Sequence, residues 1–256
     1  MKIQKISPLK DKPLRNPGES LDRRLQDVLL DKVLYYALFA VVFFIWAVMS
    51  WWTWYQQVIP NPVGVSVGAI LVIMFCSYKI YRGLKEASQI KLGRDGEKAV
   101  GQFLERLRLD GAQVFHDIEG ENFNLDHVVI HRSGVFVIET KTMSKSTNSK
   151  SVLFYNGKQI LLGGQPLQSD AITQAKAASA WLHKLLFEST GKRLPVKGIV
   201  VFPGWYVKTT DLGRSADVAV LNPQVIPNYL ANGRQQLRDD EVHISAYHLS
   251  RYIRTK

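Results

Sequence analysis

The sequence predicts an α/β domain, a mixed sheet flanked by helices, preceded by a hairpin of two transmembrane helices. Three observations support this prediction. The chain has no Asp, Glu, Lys or Arg between Lys32 and Lys79. Beyond Lys79, helical and strand-like patterns of apolar residues alternate along the chain. Within that region, "VKGIVVF" (196–202) is the near-continuous apolar run of a strand buried on both faces.

The charge-free stretch contains two apolar runs separated by a short turn. The first, "VLYYALFAVVFFIWAVMSWWTW", has about the 20 residues needed to cross the hydrocarbon core of a bilayer. The turn "QQVIPNP" follows, and its prolines interrupt a helix before "VGVSVGAILVIMFCSYKIY". A pair of buried core helices is the alternative, but two charge-free runs of this length are unusual in a soluble chain of 256 residues. We therefore expect residues 33–80 to span a lipid bilayer.

The flanking charges predict the orientation of this hairpin. Residues 1–32 contain eight Lys and Arg, residues 79–96 contain five, and the turn contains none. Positive flanks stay on the cytoplasmic side, so both termini are expected in the cytoplasm, with a bacterial inner membrane as the expected location. The expected organisation is a basic segment over 1–32, the membrane helices over 33–80, a linker over 81–92 and one domain over 93–256.

Composition limits the function classes that remain. The chain has 33 Lys and Arg against 22 Asp and Glu, a net charge of +11. In residues 97–256 the counts are 20 and 15, so more than half of the excess lies beside the predicted membrane. Charge is therefore weak evidence for a polyanionic partner. The single cysteine, Cys76, excludes an internal disulfide framework and a zinc site with several cysteine ligands.

The first half of the predicted domain combines a helix with two hairpins. The helix covers 93–111, with Val100, Leu104 and Leu107 on one face and Gly111 as its end. The expected strands are "AQVFHDI", the hairpin 124–131 and 134–142, and the hairpin "VLFYNGKQILL" with an Asn-Gly turn.

The second half returns to helices around buried strands. A helix is expected over 169–187, because Ile172, Ala175, Ala178, Leu182 and Leu185 form an apolar stripe. After it come the strands "VKGIVVF" and "DVAVL", a helix capped by Asn222 with Pro223 in first position, and a last helix near 239–253.

Three charged side chains interrupt the first hairpin, where apolar residues would pack: Asp126, Glu139 and Lys141. An unpaired charge on a buried strand lowers the stability of the fold by roughly several kcal/mol, so these residues need charged partners or a functional role. Strand alternation places Glu139 and Lys141 on one face. If the "HRSG" turn has a two- or four-residue loop, Asp126 lies opposite Glu139 with Cβ atoms ~5 Å apart. An odd-numbered loop would separate the two acids.

Two carboxylates at this distance repel unless a cation joins them. Their hard oxygen atoms suit Mg²⁺ or Mn²⁺. An ammonium group two residues after Glu139 can activate water or neutralise charge that develops on a phosphate. The alternative for Lys141 is an ordinary salt bridge with one of the acids. The nearby His116, His127 and His131 are expected to pack or form hydrogen bonds rather than bind zinc, which needs three or four converging ligands.

Several segments together resemble a known family. "GRDGEKAV", "VFHDI", "NLDHVVIHRSGVFVIETKT" and "QAKAASAWL" are similar to the NERD domain, the nuclease-related domain of the PD-(D/E)XK superfamily, over about residues 91–203. The resemblance implies a PD-(D/E)XK nuclease-like sheet flanked by helices, and metal-dependent cleavage of nucleic-acid phosphodiesters. DNA is the substrate that the family favours.

The resemblance also implies roles for individual residues. Asp126 and Glu139 would bind the metal, Lys141 would be the catalytic lysine, and Glu97 would be the acid of the first helix. Gln174 would correspond to the glutamine of the family, although "QPLQSDAITQ" makes Gln168 a competitor for that role.

Three functions are consistent with these patterns. The first is a membrane-anchored nuclease that uses Mg²⁺ or Mn²⁺ and acts on nucleic acid. The second is a non-catalytic membrane adaptor that binds nucleic acid or a protein partner. The third is a structural scaffold, which explains the apolar hairpin but leaves the three charged strand residues unexplained.

Overall fold

The structure is a computed structural model that describes residues 13–57, 62–121, 123–145 and 152–255. The chain divides into two compact units. One unit is Ser20–Leu92, and the other combines Met1–Glu19 with Gly93–Lys256.

The Ser20–Leu92 unit is helical. It contains all but the first residue of α1 (Glu19–Asp27), a π-helical stretch (Val28–Leu34), α2 (Tyr35–Tyr55) and most of α3 (Pro62–Leu104). By length and composition, two helical segments could cross a membrane, Glu19–Tyr55 and Pro62–Asp110, and few residues of their apolar windows are buried. This agrees with two long apolar helices in the predicted hairpin.

Helix α3 is longer than the sequence patterns predicted. The helix expected from residue 93 begins at Pro62, and residues 81–92, which we assigned to a linker, are helical. Their sequence, "YRGLKEASQIKL", contains no proline and is rich in residues that favour a helix. The helix continues into a 3₁₀ turn (Glu105–Asp110), and Gly111 ends it as predicted, with the left-handed φ of 82°.

The other unit is built on a five-stranded mixed sheet. Its strands are β1 (Gln113–Glu119), β2 (Asn124–His131), β3 (Gly134–Thr140), β7 (Val196–Val201) and β9 (Val218–Leu221), in that spatial order. β1, β2 and β3 pair antiparallel, whereas β3, β7 and β9 pair parallel. The predicted mixed α/β fold is confirmed.

A second sheet of four strands extends from the first. It contains β4 (Val152–Tyr155), β5 (Ile160–Leu162), β6 (Gln165–Pro166) and β8 (Tyr206–Thr209), in the order β6-β5-β4-β8. The β4–β5 hairpin was predicted. The sequence did not predict β8, a four-residue strand that directly follows a Pro-Gly loop and pairs parallel with β4.

Helices cover both faces of the central sheet, and every residue of β3 is buried. On one face lie α4 (Ala171–Thr190) and α7 (Asp239–Thr255), with Leu182 and Leu249 in the core. On the other face lie the end of α3 and α6 (Ile226–Ala231), through Leu104 and Leu230. The remaining short helices are α5 (Asp211–Arg214) and a 3₁₀ turn (Pro223–Val225), which Asn222 caps as predicted.

Candidate active site

The β2–β3 hairpin brings two acids to the same end of the central sheet. His127 pairs with Ile138 and His131 with Gly134, so the connecting loop has two residues. In this register the next opposing positions are Asp126 and Glu139, as the even-numbered loop predicted. Both side chains lie on the face that α4 covers, since Val128 and Val137 on the same alternation pack there.

The carboxylates of Asp126 and Glu139 each contact a hydrogen-bond donor at or just after the end of β3. The Thr140 amide donates a hydrogen bond of 2.6 Å to Asp126 Oδ2. Glu139 Oε1 lies 2.8 Å from Lys141 Nζ, and only 9% of Glu139 is exposed. The two carboxylates lie at the end of the β2–β3 pair that is opposite its loop, where Asp126 is half-buried and Glu139 is buried.

Lys141 lies at the centre of the group. Its amide donates to the Val201 carbonyl at 2.9 Å, which extends the β3–β7 pairing one residue beyond β3. Its ammonium group also donates a 2.8 Å hydrogen bond to Gln174 Oε1. The side chain is 31% exposed, so a solvent-borne molecule can reach it.

Helix α4 supplies the glutamine. Ala171, Ala175 and Ala178 bury one side of α4 against the protein interior, and this packing places the first turns of α4 near the end of β3. Gln174 therefore contacts Lys141 across 33 residues of sequence. Gln168 precedes α4 and is exposed. Of the two competing glutamines, the structure brings Gln174 to the group.

Helix α3 brings a third acid through one close approach. A Cβ atom at Gly96 would lie 1.7 Å from Thr142 Oγ1, a distance no side chain can adopt. Only glycine therefore lets α3 pass directly against the residues that follow β3. Glu97, the next residue, is brought near Glu139, Asp117 and Lys141, whose charges all act on it.

Burial and neighbouring acids raise the pKa values of Glu97 and Asp126. Burial, then the charges of Asp117 and Glu139, raise the pKa of Glu97 to about 7, while Lys141 opposes the shift. Although part of the Asp126 side chain reaches the surface, the protein around it displaces most of its hydration. That desolvation, with the charges of Glu139 and Glu97, raises the pKa of Asp126 well above its ordinary value, and the bond from Thr140 only partly offsets it.

Sequence reasoning missed one acid of this environment. Asp117 is 1% exposed and has a φ of 48°, a left-handed conformation that Asp tolerates better than most residues. Arg15 lies 3.4 Å from Asp117 and 2.5 Å from Glu119, which compensates both charges. The signal was present in "VFHDI", because an acid within an apolar strand is as unusual there as in the hairpin.

His127 and His131 lie on the other face of β2, and His116 lies on the neighbouring strand β1. His116 Nδ1 and His127 Nδ1 are 2.9 Å apart, and His116 Nε2 is 2.8 Å from Glu105 Oε1. His131 Nδ1 lies 2.8 Å from Ser133 Oγ. These contacts confirm the prediction that the histidines pack and form hydrogen bonds.

The donor set suits a divalent cation. Across the described ranges, no three His, Cys, Asp or Glu side chains converge closely enough to hold a metal ion as they stand. The carboxylates of Asp126, Glu139 and Glu97 are nonetheless hard oxygen donors, and their mutual repulsion is the feature that a divalent cation would relieve. The residues present therefore fit Mg²⁺ or Mn²⁺.

The two polar side chains beside the acids are accessible to solvent. Lys141 is partly exposed and Gln174 is exposed. A cavity of about 840 Å³ lies elsewhere, at the opposite end of the sheet, where Gly134 and Val196 begin β3 and β7. Small-molecule sites are typically concave pockets, and none of the residues of the acid group lines this cavity.

Comparison with known proteins finds a family model that matches part of the chain. Residues 92–203 match the family model of NERD, the nuclease-related domain. This segment contains the five residues that lie together at the end of β3, which are Glu97, Asp126, Glu139, Lys141 and Gln174. No curated protein and no solved structure matches the chain.

Proposed function

We propose that the chain is a membrane-anchored nuclease that hydrolyses phosphodiester bonds of nucleic acid and depends on a divalent metal ion. The observation that carries this proposal is the grouping of Glu97, Asp126, Glu139 and Lys141 at the end of β3, close enough for their charges to act on one another. Two of these acids have a raised pKa, and the whole group lies within the segment that matches the nuclease-related domain. Titratable groups perturbed in this way are typical of catalytic sites.

Asp126 and Glu139 are the proposed metal ligands, with Glu97 as a third acid that binds the metal or its water. A bound Mg²⁺ or Mn²⁺ would supply positive charge for the phosphate and lower the pKa of a water molecule. The protein residues position this chemistry. The hydrogen bond from the Thr140 amide fixes the orientation of Oδ2 of Asp126.

Lys141 is the proposed catalytic lysine. Its ammonium can orient the attacking water or stabilise negative charge that develops on the phosphate, because it is partly exposed beside the acids. Gln174 is the proposed positioning residue. Its side-chain oxygen accepts from the Lys141 ammonium and thereby limits the directions that the ammonium can take.

The anchor is the pair of apolar segments. Both could cross a membrane by length and composition, and their positive flanks favour a cytoplasmic location for both termini and for the nuclease-like unit. We take DNA rather than RNA as the substrate because of the family resemblance. A bacterial inner membrane is the proposed location.

One observation favours the second candidate, a non-catalytic adaptor. In this structure Lys141 is already held by Glu139 and Gln174, as a purely structural ion pair would be. All the acid and lysine positions of the family pattern are nevertheless occupied, which favours the nuclease.

Cleavage assays separate the two functions. The full-length chain, purified in detergent, is incubated with labelled DNA and RNA in the presence of Mg²⁺, Mn²⁺ or a chelator. The nuclease proposal expects metal-dependent cleavage that Asp126→Asn abolishes. Binding of nucleic acid without cleavage under every metal condition would favour the adaptor.

A further inference from the structure

A second site lies in the helical unit Ser20–Leu92. A cavity of about 670 Å³ lies between two walls. One wall is the end of the π-helical stretch and the start of α2, and the other is the part of α3 that follows the charge-free run. Four cationic side chains and one acid line it: Lys32, Lys79, Arg82, Lys85 and Glu86. None of these residues belongs to the proposed nuclease site.

The cavity has an excess of positive charge. Lys32 Nζ lies 2.6 Å from Glu86 Oε2, and this hydrogen bond lowers the pKa of Glu86 despite the opposing effect of burial. Glu86 is therefore ionised and compensates one cation. The remaining three cations attract an anion into the same space.

Aromatic rings hold two of these cations in place. Lys79 Nζ lies 6.0 Å from the ring centroid of Tyr36 and 5.5 Å from that of Phe75. The Arg82 guanidinium lies 5.9 Å from the Tyr78 ring. Such contacts reduce the freedom of long cationic side chains, so less entropy is lost when they bind an anion.

Close helix packing forms the floor of the cavity. A Cβ atom at Gly83 would lie 3.2 Å from Val33 Cγ2 and 3.3 Å from Lys32 Cβ. Glycine therefore lets α3 approach the π-helical stretch more closely than a larger residue would, as small residues do between membrane helices.

The cavity lies at the level where headgroups are expected. Lys32 and Lys79 are the charged residues that border the charge-free stretch. Tyrosines such as Tyr78 are favoured at the boundary between headgroups and acyl chains. Beyond the cavity, Leu71 and Phe75 are 63% and 55% exposed and present an apolar surface to acyl chains.

We propose that this cavity binds the headgroup phosphate of an anionic phospholipid. The inference rests on the proposed membrane anchoring. Inorganic phosphate has the same charged oxygens, but it lacks acyl chains to contact the apolar surface beside the cavity. Lipid is therefore the occupant to which the geometry points.

Native mass spectrometry of the full-length chain in detergent tests this proposal. Phosphatidylglycerol and phosphatidylcholine are added in separate arms, and inorganic phosphate is the competitor in a third. The wild-type chain should retain phosphatidylglycerol in preference to phosphatidylcholine, and equimolar inorganic phosphate should not displace it. Lys79→Gln/Arg82→Gln should weaken retention by about thirtyfold, from roughly 1 kcal/mol for each cation lost. The single variant Arg82→Gln should show a smaller loss in the same direction.

A matched variant controls for charge. Arg23→Gln/Lys91→Gln removes two cations of the same unit outside the cavity and should retain phosphatidylglycerol as the wild type does. Equal retention by the cavity variants, equal retention of the two lipids, or displacement by phosphate would each overturn the proposal. Alkaline extraction of membranes distinguishes a failure of the proposed anchor from a failure of the proposed lipid site. A wild-type chain that is washed off refutes the anchor, and one that stays inserted without lipid preference refutes only this site.

Discussion

Glu97 offers a quantitative test of the electrostatics at the site. Its pKa of about 7 lies about 2.5 above the ordinary value of 4.5. At about 1.4 kcal/mol per unit this corresponds to roughly 3 kcal/mol, and we expect about 2 kcal/mol because the side chain is partly exposed. The folded chain binds this proton more tightly than the unfolded chain. The stability that protonated Glu97 contributes is therefore complete below pH 4.5 and is lost as the pH rises through 7.

Glu97→Gln should remove this pH dependence. Without metal, the variant should gain about 2 kcal/mol over the wild type between pH 5 and pH 8, or about 4–8 °C in Tm for a unit of this size. The assay is thermal unfolding of both full-length proteins in detergent with a chelator. Adding Mg²⁺ at pH 8 should raise the Tm of the wild type more than that of the variant, since a cation stabilises ionised Glu97.

Glu241→Gln is the matched control. Hydrogen bonds from the Arg238 amide and from Lys192 lower the pKa of Glu241. Its contribution is thus already complete above pH 4.5, so its variant should differ from the wild type by a nearly constant amount from pH 5 to pH 8. If the Tm of Glu97→Gln changes with pH as that of the wild type does, Glu97 does not lie close to Asp117 and Glu139 as described.

Asp126→Asn and Glu139→Gln should each weaken Mg²⁺ binding by at least about tenfold, because each removes a charged oxygen ligand; unchanged affinity in both by calorimetry would show that the metal site is wrong. Gln174→Ala should reduce the rate of cleavage by about tenfold, whereas Gln168→Ala should leave it near the wild-type value, since only Gln174 contacts the lysine. The reverse order of effects would assign the role to Gln168. A reporter fused at Lys256 should give a cytoplasmic signal, and a signal from the other side would overturn the topology.

Much of the site followed from strand alternation. The even-numbered loop placed Asp126 opposite Glu139, and the structure has the same register. The family resemblance also pointed to Glu97 as the acid of the first helix. Periodicity could not predict how closely α3 approaches the end of β3, because that distance depends on the packing of Gly96 against Thr142.

Contacts between distant segments were the least predictable. The bond from Lys141 to Gln174 depends on how α4 lies on the sheet, which the sequence order of elements leaves open. The apolar stripe of α4 was predicted to end at Leu185, but Leu186 is the more buried residue. Strand β8 escaped prediction because its alternate residues are half exposed and its partner, β4, lies about fifty residues earlier.

Turnover by Lys141→Ala, measured together with its stability, tests the central proposal most directly. Removing one interaction that stabilises the transition state typically costs about a hundredfold or more in rate. The Lys141 side chain is 31% exposed but that of Glu139 only 11%, so losing the ion pair should cost more than losing a surface pair, roughly 2 kcal/mol, or about 4–8 °C in Tm. We therefore expect a folded variant whose metal-dependent cleavage falls at least about a hundredfold. A folded Lys141→Ala protein that cleaves nucleic acid at the wild-type rate would contradict the proposal that Lys141 is the catalytic lysine.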